Sequence, residues 1–408
     1  MKTGNKNRII DWSSFAFFLI AVSAVTLWLF YHQTTADSGS GLYHSDMKAY
    51  ILEMQGLDSG YSFPYPVFFK FAWMIHFFAA PELAVAIATM LFNSAAILIT
   101  KVYFNSLMLS KMEDNWLSGM VLSVLTISLF FISMLYPPDG IYLPGINFRY
   151  LGVFTANPFH NATYIAARPF TILAFLWYVK LLPVYEEGIH GDRGRMRDYI
   201  LFSLFLLLAT MTKPSFTLVL VGTAGLLMLF RMFRSRFRNF LPTIQMGLCF
   251  IPTFADLLYQ YRGVFVPEEG VEGGIGFGFG EVWSRYCTNL PLAICLAIGF
   301  PLLVLVLNYK ELKEDAFYRF SWQIYLMSFV MAFFLYEKGF RKFDFNFSWG
   351  YMSGIFFCHM GALQVLIRST VWNKKKPLLM IGQWLVFSFH LLCGLGYFLG
   401  ILRGEMYY

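Results

Sequence analysis

Apolar blocks of about 20 residues follow one another almost from end to end of this chain. A block of that length wound as a helix crosses the hydrocarbon core of a bilayer, and a helix satisfies its own backbone there. Candidate spans fall at 12–31, 83–103, 115–136, 163–183, 199–212, 216–231, 241–258, 289–308, 317–336, 349–369 and 377–401, about eleven in all. Of the 408 residues, 58% are hydrophobic and only 13% charged, against about 25% charged in soluble domains. Too few charges remain to cover a soluble surface. The sequence therefore predicts an all-α polytopic transmembrane helical bundle, with residues 1–408 forming a single membrane domain.

The basic residues sit in short loops between the blocks, so topology explains the net charge of +7 and no nucleic-acid partner is expected. Arg193, Arg195 and Arg197, then Arg231, Arg234, Arg236 and Arg238, then Lys374, Lys375 and Lys376 all fall on one side if the N-terminus is cytoplasmic and the C-terminus outside. The outer loops are then about 32–82, 137–162, 259–288 and 337–348, with the turn at Lys213-Pro214-Ser215 and the short tail. The break at Thr212-Lys213-Pro214-Ser215 reads as a tight turn between two helices or as a kink in one long helix. The apolar stretch 67–80 contains Lys70 and His76 and is short for a span, so it is expected as an amphipathic juxtamembrane or re-entrant helix within the first outer loop. Five scattered cysteines show neither CxxC nor metal-ligand spacing and read as packing residues. His359 and His390 stand singly in spans and read as packed, hydrogen-bonded side chains.

The outer loops hold nearly all the unusual polar residues, which marks that face as the working one. In the first, His44-Ser45-Asp46-Met47-Lys48-Ala49-Tyr50 puts a carboxylate at the membrane surface, where it can draw a proton from an acceptor hydroxyl; the plainer reading is a helix N-cap. In the second, Asn157-Pro158-Phe159-His160-Asn161-Ala162-Thr163-Tyr164 runs into Arg168. Amides and rings suit sugar hydroxyls, and the planar fork of Arg168 suits a phosphate; the plainer reading is a turn-rich loop with Arg168 snorkelling. Lys213 wants an anion, a lipid phosphate or the headgroups. Glu337-Lys338-Gly339-Phe340-Arg341-Lys342 breaks the positive-inside trend, which points to a bound anion or to pairing with Glu337 and Asp344. The glycines of the run 273–280 allow a flexible lid. No DxD, HExxH or P-loop is present, and no cofactor or metal site is predicted.

At the first outer loop the chain resembles the GT-C superfamily of polytopic membrane glycosyltransferases. Asp46 and Tyr50 match the acid and the tyrosine of an Asp-Glu-x-x-Tyr pattern, followed by Gly56 and by Pro64-Tyr65-Pro66, while Met47 replaces the second acid. The later loops, through Asn157-Pro158-x-His160-Asn161-x-Thr163-Tyr164 and Glu337-x-Gly339-x-Arg341, resemble those of membrane proteins from bacterial polysaccharide clusters. The resemblance implies an integral multi-pass protein of the bacterial plasma membrane that moves a sugar, with inversion, from a polyprenyl-phosphate donor to a glycan, lipid or protein acceptor on the outer face. It implies Asp46 as base, Tyr50, His160 and Asn161 lining the sugar site, Lys213, Arg168 or Arg341 on the phosphate, and Glu337 in the same substrate-binding group. An O-antigen-type polymerase or ligase and a lipid-linked glycan flippase or transporter are the other classes open to such a chain. The former tends to rely on arginines and a histidine in a large outer loop, and the latter would show a charged path through the spans.

Overall fold

The computed structural model describes residues 2–37, 39–108, 116–136, 154–187, 195–264, 274–372 and 377–405. Arg193, Lys374, Lys375, Lys376, Gly273 and residues 137–153 of the predicted second outer loop lie outside these.

Helix α1 (Lys2–Thr35) leads into two short helices, α2 (Met47–Met54) and α3 (Pro66–His76), before α4 (Pro81–Met108) and α5 (Trp116–Ser128). Then come α6 (Ala162–Glu187), α7 (Met196–Thr212), α8 (Ser215–Arg234), α9 (Phe240–Leu248) and α10 (Ile251–Val264). A strand, β1 (Ile275–Phe277), precedes α11 (Leu290–Ala297), α12 (Gly299–Leu307), α13 (Glu311–Glu314) and α14 (Ala316–Phe334). Strand β2 (Leu335–Glu337) follows directly, and α15 (Ser348–Trp372) and α16 (Pro377–Leu402) close the chain.

Among the described residues, α1, α4, α6, α8, α15 and α16 are long and apolar enough to cross a membrane. The bent pairs α9/α10 (47°) and α11/α12 (70°) raise six to eight if each is one span. The protein is thus an all-α, multi-pass membrane protein. The other three expected spans fall on helices that miss the criterion: α5 has 13 residues, α7 has 17, and the 19 of α14 include Arg319, Ser321, Gln323 and Ser328. The stretch expected as a juxtamembrane helix is α3, whose 11 residues are too few to cross.

Helix α15 is the hub: the whole of its apolar window is buried inside the protein. It packs on α14 through small residues seven apart on each helix. A Cβ on Gly354 would lie 2.1 Å from Ser328 Oγ, and one on Gly361 would lie 2.5 Å from Ser321 Oγ. Between apolar helices in lipid, this close approach supplies the dispersion contact that drives association. Gly354→Val is expected to cost about 1–3 kcal/mol by overpacking. It would appear as a lower Tm in detergent, and an unchanged Tm would contradict the contact.

His390 has the packed role read from the sequence. Its Nδ1–H donates to Ser133 O (2.6 Å) and its Nε2 accepts from Phe300 N–H (3.0 Å). The second bond satisfies a backbone donor left open by the α11/α12 bend.

The chain reverses between α7 and α8. Thr210 and Thr217 hydroxyls are 2.9 Å apart across the break, whereas seven residues of continuous helix would separate them by about 10 Å. Lys213 is extended (φ −167°), so the tight-turn reading holds and the single kinked helix does not. Tyr43 N–H donates to Gly404 O (3.0 Å), which brings the α1–α2 connection to the C-terminal end of α16. The start of α6, the α7–α8 turn, the end of α14 and the start of α15 converge on this same end of the bundle. We call it the site face. The arginines that open α7 and close α8 lie a helix length away.

Candidate active site

The first loop of the site face is pinned before it reaches the cavity. Helix α2 stops in a Schellman turn: Leu57 N–H donates to Leu52 O and Gly56 N–H to Glu53 O, with Gly56 at φ +71°. Pro66 opens α3 at a position that needs no N–H donor. Tyr50 then meets Phe63, Phe68 and Phe69 edge-on at 5.3–6.0 Å. These rings fix α2 against α3 and turn Asp46 inward.

A cavity of about 470 Å³ opens in front of it, lined by residues that include Asp46, Tyr50, Tyr65, Asn161, Lys213, Gln260, Glu337, Asp344 and Trp349. Asp46 holds the N-cap position of α2, yet its side chain caps nothing. Its Oδ2 instead accepts from Asn161 Nδ2 (2.7 Å) and from the Tyr50 hydroxyl (3.2 Å). Asp46 is exposed as a residue, and it lines the cavity. Surrounding protein displaces bulk water and raises its carboxyl above the ordinary range, while Lys213, Asn161 and Tyr50 draw it back. The Tyr50 phenol is pushed well above its ordinary value by burial and by Asp46, so it stays a proton donor.

Asn161 is the hinge of the site. Its Oδ1 caps α6 by accepting from Tyr164 N–H (2.9 Å), and it also accepts from Thr163 Oγ1 (3.0 Å) and Lys213 Nζ (3.3 Å). One amide thus connects the acid to the cation. Lys213 Nζ donates to Thr163 Oγ1 as well (3.2 Å) and stands 4.6 Å from the centre of the Trp349 ring. Burial lowers its ammonium to about 8 against the pull of Asp46. Gly350 permits this approach, since a Cβ there would lie 2.6 Å from Val219 and 3.0 Å from Ser215 O.

The far wall comes from β2 and the segment after it. Strands β1 and β2 pair antiparallel with Ile275 opposite Glu337. A Cβ on Gly276 would lie 2.3 Å from the Tyr336 ring, so this glycine serves close strand approach where the sequence suggested a flexible lid. Glu337 is buried, accepts from Asn346 Nδ2 (2.9 Å), and faces the cavity with Asp344.

Of the residues expected at a site, Asp46, Tyr50, Asn161, Lys213 and Glu337 line this one cavity. His160 does not: it is buried 5.8 Å from the Trp349 ring, and burial, His44 and Lys213 hold it down to about 3, so it is neutral. Arg168 does not either. It lies deeper in α6 beside a separate small pocket that Lys213 also lines. Arg341 falls on the turn Gly339–Phe343, and its side chain lies outside the described residues. Thr163, Trp349 and Gln260 join the cavity wall or its bonds without being singled out by the sequence, and Asp344, expected only as an ion-pair partner, lines the wall as well. Thr163 is legible in the sequence only as part of the Asn157-to-Tyr164 resemblance motif, and Trp349 only as one ring in an aromatic-rich segment. No protein-family model, no curated protein and no solved structure matches the chain.

Proposed function

We propose that this protein is a GT-C-like inverting membrane glycosyltransferase that takes its sugar from a polyprenyl-phosphate donor. In this reading α5, α7 and α14 complete about eleven crossings. The N-terminus is cytoplasmic, and the site face lies outside the plasma membrane of a bacterium. The observation that carries the reading is the placement of Asp46, an acid that leaves its own helix uncapped and is held by Tyr50 and Asn161 on the wall of an aromatic cavity beside a buried ammonium.

The chemistry follows from that placement. The donor phosphate sits near Lys213, whose charge stabilises it as leaving group. Tyr65 and Trp349 offer flat apolar faces to a sugar ring, and Glu337 and Asp344 accept its hydroxyls. The lipid chain leaves the cavity past Leu218 and Leu257, between α8 and α10. The acceptor, a hydroxyl on a glycan, lipid or protein, gives its proton to Asp46 as its oxygen bonds to the anomeric carbon. The carbon–phosphate oxygen bond breaks on the opposite side, and the phosphate departs with the electron pair. A raised carboxyl pKa makes a better base once ionised.

The test is transfer from a panel of radiolabelled polyprenyl-phosphate sugars in proteoliposomes, where wild-type protein moves label to acceptor from at least one donor. The pH profile of kcat/KM is expected to be a bell. Asp46 must be ionised, so activity falls as pH drops through its raised pKa. Lys213 must be charged, so activity falls again as pH rises past about 8. Lys213→Arg keeps the charge to far higher pH and should remove the alkaline limb. An alkaline limb unchanged in that variant contradicts the assignment of Lys213.

A further inference from the structure

Among the described residues, Arg168 is a buried cation that the cavity of the candidate site does not use. It is 4% exposed, two turns into a membrane-crossing helix. The rings of Phe130, Tyr164 and Phe356 surround its guanidinium with centroids at 5.3–5.5 Å. Nη2 donates to Ala156 O (3.2 Å), while Nε and Nη1 have no hydrogen-bond partner. No carboxylate comes within 4.0 Å of it among the described residues. An arginine cannot shed its charge, and a buried charge left uncompensated is strongly unfavourable.

The pocket beside it has a volume of about 10 Å³. Its polar lining is Arg168, Lys213, Tyr164, Thr171, Ser215 and Ser353: two cations and four hydroxyls, with no carboxylate. Such a lining favours an anion. The narrow space, in which the centre of a water-sized sphere has about 10 Å³ to move, favours a single-atom anion. It disfavours phosphate, sulfate and sugars, and a water fits but neutralises nothing. We propose that the pocket between Arg168 and Lys213 holds a resident monatomic anion, which under physiological conditions is chloride. The ion compensates Arg168 from within and leaves the other side of Lys213 turned to the main cavity. This site stands apart from the glycosyltransferase reading and holds or fails without it.

The test is chloride binding to the purified full chain in detergent, followed by chloride NMR line broadening and by Tm, with sodium gluconate replacing sodium chloride at constant ionic strength. Wild-type protein is expected to show saturable broadening, competed by bromide but not by equimolar phosphate, and a saturable rise in Tm with chloride. Arg168→Gln should lose both, and Lys213→Met should weaken both. Because Arg168→Gln could fail to fold, the wild-type titration stands as a test by itself. Absence of saturable broadening in wild type overturns the proposal. So does broadening that persists undiminished in both variants, or equal competition by phosphate, which would show a site open to larger anions.

Discussion

Asp46→Asn is expected to lower kcat for sugar transfer by about 10²–10⁴-fold, the usual worth of a general base, with little change in donor affinity. Asparagine keeps the size of the side chain and can still accept from Tyr50 and Asn161, which hold the carboxylate in the wild type. What it loses is the capacity to take a proton. Because Asp46 already leaves its helix uncapped, the substitution removes no cap and should leave Tm nearly unchanged. Single-turnover transfer in proteoliposomes, alongside donor binding, separates the two effects. Transfer at the wild-type rate would remove Asp46 as base and leave the cavity without an assigned proton acceptor.

The second large effect is expected far from the cavity. Lys101 of α4 and Asp11 of α1 form an ion pair of 2.7 Å whose side chains are 0% and 3% exposed. Asp11 also accepts from Asn105 Nδ2 (3.1 Å) and Ser123 Oγ (3.4 Å), and Lys101 donates to Gly119 O (3.2 Å). The knot ties α1, α4 and α5 together. Asp11→Ala strands an ammonium in an apolar bundle and is expected to cost about 3–5 kcal/mol. Pairing it with Lys101→Met should recover part of that, since a packed apolar pair often matches a buried ion pair. Thermal unfolding in detergent reads both. A double variant no more stable than Asp11→Ala would contradict the stranded-charge account.

Much of the architecture is legible in the sequence. Long apolar blocks give helices because lipid leaves the backbone no other partner. Parity of the basic loops groups the first loop, the Lys213 turn, the 337–348 loop and the tail on one face, and the fold brings their described parts to one end of the bundle. The number of crossings is less legible. Helix α14 is nearly as long as a span, but its Ser321 and Ser328 pack against α15 inside the protein, and hydropathy does not separate a lipid-facing helix from a buried one. The ion pair of Asp11 and Lys101 leaves no local signal because the partners are 90 residues apart.

At the site, residue type is easier to read than depth. Asn161, Tyr164 and Arg168 recur at helical spacing and share one face of α6. Each step along the axis advances about 1.5 Å, so Arg168 lies roughly 10 Å below Asn161 and shares a small pocket with Lys213. His160 precedes the helix and packs beside the Trp349 ring without itself lining the cavity. The role of Gly276 is hidden from the sequence because its reason is the Tyr336 ring on a strand 60 residues away.

The central claim is that the cavity on the site face holds a lipid-linked sugar with its phosphate at Lys213. The most direct measurement is photo-crosslinking in proteoliposomes with a polyprenyl-phosphate sugar bearing a photoreactive group near the phosphate, followed by peptide mapping. Label is expected on residues 61–65, on 213–218 and on 344–349, competed by unlabelled donor and reduced in Lys213→Met. Competable label confined to other segments, or label at the cavity that unlabelled donor does not displace, would contradict the claim.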